Sequence, residues 1–146
     1  MKGLAMKTST LTAMLQIAAL LHLGLIWAGA SMPRAVQLGN HLAALPVFIR
    51  RLFYVYFSFI GLLLAGFGTL TFLFAGAMAA GEPLARALCV LLTAFWLLRL
   101  IAAAFVFDVR PYLVNWFYHL GYQAINLVFL YLLVVYAVTA WMGGRL

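Results

Sequence analysis

Acidic side chains are nearly missing from this chain: 146 residues carry only Glu82 and Asp108, against nine Lys and Arg. These two carboxylates stand at opposite ends of one apolar stretch, about 39 Å apart if the segment between them is helical. That separation excludes chemistry needing two carboxylates at one site, namely paired-carboxylate glycoside hydrolysis, an aspartyl dyad or a carboxylate-bridged di-iron centre. Cysteine is equally scarce. Cys89 is the single one, so no internal disulfide and no Cys-x-x-Cys metal or redox site can form, and Cys89 reads as a small buried apolar residue. No His-Glu-x-x-His, no phosphate-binding glycine loop and no serine or cysteine set beside a histidine is present. The net charge of +7 comes from scattered cations, with Arg50-Arg51 as the one basic pair. Without a basic stripe, nucleic acid is not a partner, and the charge reads as the flanking charge of a membrane protein.

What the chain has is oil. Hydrophobic residues make up 68% and charged residues 8%, a balance that leaves a soluble protein of this size without a polar surface. The apolar residues fall in continuous stretches of about 20 or more, long enough to cross a bilayer as helices. Because the stretches are continuous rather than alternating, helices are expected over a transmembrane barrel. The predicted fold is all-α: one integral membrane domain over residues 1–146, a polytopic bundle of four transmembrane helices with spans near 9–30, 52–80, 84–107 and 117–142. A short interfacial segment is expected between the first two, where Pro33 and Pro46 break the chain and apolar Val36, Leu38, Leu42 and Leu45 mix with Gln37, Asn40 and His41. The Gly81-Glu82-Pro83 connection is tight, with Pro83 suited to a first helical turn. A third connection runs from Asp108 to about Asn115. These 146 residues leave no length for a soluble catalytic domain among them.

The first stretch admits a second reading, because Lys2 and Lys7 precede an apolar run ending in Ala28-Gly29-Ala30, a small-residue pattern like a signal-peptide cleavage site. The run from Leu11 to Ala30 exceeds a signal peptide's apolar region and contains Gln16 and His22, so a retained span is expected. Met6 is an alternative start. Orientation is undetermined by the cations: Arg34, Arg50, Arg51 and Arg110 fall on one side, Lys2, Lys7, Arg86 and Arg145 on the other. Aromatic anchors are less even. Trp27, Tyr54, Tyr56, Tyr112, Trp116 and Tyr118 gather at the end holding the first and third loops, against Tyr136 and Trp141 at the other.

Polar residues inside the spans are the candidate site. Arg99 lies about 13 Å below the third loop and His22 about 12 Å below the first, with Ser58 and Asn126 about 10 and 15 Å deep by the same count. On the fourth helix His119, Tyr122, Gln123 and Asn126 fall along one face, which is expected to point into the bundle or toward partners. Gly61, Ala65 and Gly68 follow Ser58 as a small-residue strip suited to close helix approach or to a ligand. An arginine near a helix centre is costly in lipid and needs a partner: snorkelling, Asn126, Gln123, a backbone carbonyl or a bound anionic or carbonyl-bearing group. Trp96, one turn before it, either faces lipid or contacts a flat or anionic group.

Two functions from different classes follow. One is a non-catalytic accessory or anchoring subunit of a membrane complex in a bacterial inner membrane, held among other membrane subunits or copies of itself, with its polar layer fixing helix register. The other is a redox component binding haem b or a quinone, in which His22 and His119 are the metal ligands and Arg99 pairs with a propionate. Over about 13 residues, His22, Trp27, Gly29, Pro33 and Arg34 resemble the start of small four-helix haem-associated membrane proteins of the HemJ type; no matching motif follows in the third or fourth helix. A transporter is a weaker fit, since four spans with one deep charge complete a pathway only after oligomerisation.

Overall fold

The structure is a computed structural model that describes residues 2–35, 37–106 and 115–143, with side chains described from Thr8 on and not for Ala35. Asp108, Arg110, Tyr112 and most of the third connection lie outside the described residues, as do the side chains of Lys2 and Lys7 and all of Arg145. Among the described residues, six helices follow in order: α1 (Lys2–Ala35), α2 (Leu38–Ala43), α3 (Val47–Leu73), α4 (Ala75–Ala80), α5 (Pro83–Phe105) and α6 (Trp116–Met142). Among the described residues there is no strand. Four of the helices contain segments long and apolar enough to cross a membrane: Thr8–Arg34, Val47–Leu73, Pro83–Phe105 and Trp116–Met142. At about 1.5 Å per residue each exceeds the roughly 30 Å hydrocarbon core. The chain is a small multi-pass membrane protein built as a helical bundle.

Three features of the first two spans differ from those expected. The first helix does not stop at Ala30 but continues through Pro33 to Ala35. Pro33 removes the N–H that would bond the Gly29 carbonyl, and it stands in the last turn of α1, where the loss is small; the neighbouring Ser31 Oγ donates to the Ala28 carbonyl at 2.8 Å. Gln37 then turns the chain with φ 49°, in the left-handed region. The third helix starts at Val47, so Arg50 and Arg51 belong to its first turn rather than to a loop. The expected span to residue 80 is also interrupted at Phe74, whose φ of −106° and ψ of 15° end α3 and start α4. The break re-aims the chain so that Ala75, Met78 and Ala79 are buried, packed mainly against α1. Alanine at positions 75 and 79 permits that close approach.

The Gly81 turn ties the bundle's lower end. Gly81, at φ 75°, lets its own N–H donate to the Met78 carbonyl and that of Glu82 to the Ala77 carbonyl, both at 3.1 Å, so the last carbonyls of α4 are satisfied. Pro83 opens α5 where its missing N–H costs nothing. The end of α6 lands on this turn: a Cβ on Gly143 would stand 3.1 Å from the Gly81 Cα and 2.6 Å from the Thr139 carbonyl oxygen. Arg86 Nε donates to the Ala140 carbonyl at 2.8 Å, capping α6 from α5.

The long helices pack as two hairpins, α1 with α3 and α5 with α6, joined where α1 meets α6 and where α4 meets α1. The core sits in the half of the bundle nearer the Gly81 turn. Leu15 on α1, Met78 on α4, Cys89 and Leu92 on α5 and Leu132 on α6 are all fully enclosed. Toward the other end the side chains turn outward.

Candidate functional site

His22 is fully enclosed, on the α1 face that also carries Leu15, Ala18, Ala19 and Leu25. Its Nδ1 lies 2.8 Å from the Ala18 carbonyl one turn back. A carbonyl only accepts, so Nδ1 carries the proton, and in the neutral ring Nε2 is left as an acceptor. Four aromatic side chains close the space around it. Trp96, Tyr136 and Phe67 present their rings edge-on at centroid distances of 5.4, 6.2 and 6.5 Å, and Phe129 stacks on Trp96 at 5.3 Å. Gly68 completes the box: a Cβ there would stand 3.0 Å from the His22 Cβ and 3.3 Å from the Ala19 carbonyl oxygen. Gly68 is therefore needed for α3 to approach α1.

Beside this ring the hydroxyls of Thr71 and Tyr136 share a buried hydrogen bond of 2.7 Å, joining α3 to α6. Tyr131 adds another tie, its hydroxyl donating to the Met14 carbonyl at 3.1 Å. Among the described residues, two buried nitrogens have no hydrogen-bond partner, His22 Nε2 and Trp96 Nε1. They are chemically complementary, one an acceptor and one a donor. Among the described residues no carboxylate stands with them, and no group of three or more metal-ligating side chains occurs. The centre offers the His22 acceptor, the Trp96 donor and the Thr71–Tyr136 hydroxyl pair within an aromatic lining.

The candidate residues divide by place. Of the seven, His22 alone is fully buried. Arg99 lies one turn past Trp96, half-buried, with its guanidinium carbon 5.0 Å from the Phe129 ring centroid in a cation–π contact. Tyr122 is half-buried and its hydroxyl donates to the Ala103 carbonyl at 3.3 Å, joining α6 to α5. Asn126 is half-buried, while His119, Gln123 and Ser58 are exposed. The Ser58 hydroxyl donates within its own helix to the Tyr54 carbonyl at 2.9 Å, beside a groove of about 210 Å³ between α1 and α3 that is also lined by Gly29 and Gly61.

The structure does not bring all of these to one level. His22 abuts Gly68, which lies ten residues past Ser58, about 15 Å along α3. Depths counted from Ala30 and Arg51 are offset because α1 runs on to Ala35 and α3 begins at Val47. Nor does it bring His22 and His119 together. His22 packs on Tyr136, which lies about 25 Å along α6 from His119, whereas two ligands of one haem iron must share a coordination sphere. A macrocycle on His22 Nε2 would also have to displace the rings of Trp96, Phe67 and Tyr136. Among the residues that build this centre, Thr71 and Tyr136 carried no sequence signal as a pair, since they stand 65 positions apart. Trp96 faces inward, at 1% exposure, and not toward lipid; its position one turn before Arg99 was the available signal.

No known protein family, curated protein or solved structure matches this chain.

Proposed function

We propose that the chain is a non-catalytic accessory or anchoring subunit of a membrane complex, working beside other membrane subunits or further copies of itself. The observation that carries this reading is the polar face of α6. His119 and Gln123 are exposed to whatever surrounds the described residues, and Gln123 lies about 10 Å into the helix. A side-chain amide facing hydrocarbon is unfavourable, so polar groups on transmembrane helices are turned toward protein or water. The chain's own core lies toward the opposite end of α6, around Phe129 to Thr139, and leaves this face to a partner. The sealed His22 centre supports the same reading: it interlocks α1, α3, α5 and α6 and fixes their register. The compact polytopic design suits a bacterial inner membrane.

Extraction from native membranes in mild detergent, followed by identification of co-purifying chains and a visible spectrum, tests the proposal. A colourless protein migrating in a larger assembly is expected. Replacing Gln123→Leu should weaken partner retention roughly three- to tenfold, the range set by hydrogen bonds between membrane helices, with helical content unchanged. A monomer with turnover, or reduced-minus-oxidised haem bands lost in His22→Ala or His119→Ala, would overturn it.

A further inference from the structure

We propose that the groove between α4 and α5 is a binding site for one acyl chain of an amine-headgroup phospholipid, with Glu82 holding the ammonium. The groove measures about 490 Å³ and opens sideways, lined by Leu70, Phe74, Ala77, Glu82, Leu88 and Leu91 among others. It exists because α3 packs chiefly on α1, the helix is interrupted at Phe74 on the groove wall, and Ala77 and Ala85 put little bulk between α4 and α5.

Three features select the occupant. First, its length: Glu82 to Leu91 covers about 14 Å along α5, half the roughly 30 Å hydrocarbon core. That is the depth of one leaflet, whereas a partner helix crossing the membrane would lie against the bundle over its full thickness. Second, its lining is apolar apart from one charged group, Glu82, on a chain whose net charge is +7. A carboxylate at the rim favours a cation and repels an anionic headgroup, and charge-assisted N–H···O bonds select a primary ammonium over a quaternary one. Third, Glu82 stands at the N-cap of α5 yet makes no side-chain capping bond. Arg86, one turn on, reaches instead to Ala140 on α6.

The test is native mass spectrometry of the full chain in mild detergent, equilibrated with equal amounts of phosphatidylethanolamine, phosphatidylcholine and phosphatidylglycerol bearing the same acyl chains. One retained phosphatidylethanolamine is expected, preferred over the other two. Glu82→Gln should lower that preference about tenfold or more, the size of one charge-assisted hydrogen bond. Ala87→Phe, at an exposed residue on the groove wall, should abolish retention of all three, with circular dichroism confirming that both variants keep their helices. Equal retention of the three lipids, a preference for phosphatidylglycerol, unchanged selectivity in Glu82→Gln, or a protein chain cross-linking to the groove would overturn the proposal.

Discussion

The half of the bundle near the Gly81 turn and the half near Val106 and Trp116 are built from the same kinds of residue and packed quite differently. On α6, Phe129, Leu132, Val135, Tyr136 and Thr139 are buried, while Trp116, Phe117, Tyr118 and Leu120 are exposed. On α5, Ala85, Cys89, Leu92 and Trp96 are buried, while beyond them Ala103 is buried and Leu97, Leu98, Ile101 and Phe105 are exposed. Hydrophobicity cannot separate these groups. Lipid tails are as apolar as leucine, so in a membrane the side chains that meet protein are chosen by shape and by hydrogen bonds. The closed half has both: Gly68 admits His22, Ala75 and Ala79 admit α1, and Thr71 meets Tyr136. In the open half the Tyr122 bond to Ala103 ties α5 to α6, while Ser58 bonds within its own helix.

This contrast can be broken by substitution, with unfolding in detergent followed by circular dichroism. The largest effect is expected for Trp96→Ala, which empties the space between His22 and Phe129 and should cost about 3–5 kcal/mol. Gly68→Ala comes next, at about 1–3 kcal/mol, because the new methyl meets the His22 Cβ and a backbone oxygen. Tyr136→Phe removes the hydroxyl from Thr71 and should cost about 1 kcal/mol; little loss in Thr71→Val as well would show that the bond adds nothing to register. In the open half, Ser58→Ala should lie within about 0.5 kcal/mol of the parent. If Trp116→Ala destabilised the isolated chain as much as Trp96→Ala, the division into a closed and an open half would be wrong.

The cost of His22 itself sharpens the comparison. Replacing His22→Leu removes an unpartnered acceptor and the Nδ1 bond to Ala18 together, so the two effects oppose each other and the net change should be small, on the order of 1 kcal/mol. His22→Ala, which also leaves a cavity, should be clearly worse. A haem or quinone role would instead show as a spectral or binding change in both variants.

Much of the fold was legible beforehand. The four spans follow from apolar stretches long enough to cross hydrocarbon, and the tight turn at Gly81-Glu82-Pro83 follows from a glycine able to take positive φ and a proline suited to a first turn. The break at Phe74 was not legible, because nothing in Leu73-Phe74-Ala75 forbids a helix; it is imposed by burial of Ala75, Met78 and Ala79. His22 was visible as a polar residue in oil. Its neighbours were not, since depth counting needs the true helix ends, and Pro33 and the Arg50-Arg51 pair marked ends that the helices pass through.

Sequence alone therefore determined the solvent and the element type, since lipid requires every backbone group to be satisfied within its own helix and the stretches are long enough to do so. Tertiary structure alone decided which polar residues meet. A helical face repeats every turn, and a shift of a few residues between antiparallel neighbours changes every partner. The contacts of Gly68 with His22, Thr71 with Tyr136 and Gly143 with Gly81 fix that shift, setting the histidine in the closed half and leaving His119 and Gln123 outside it.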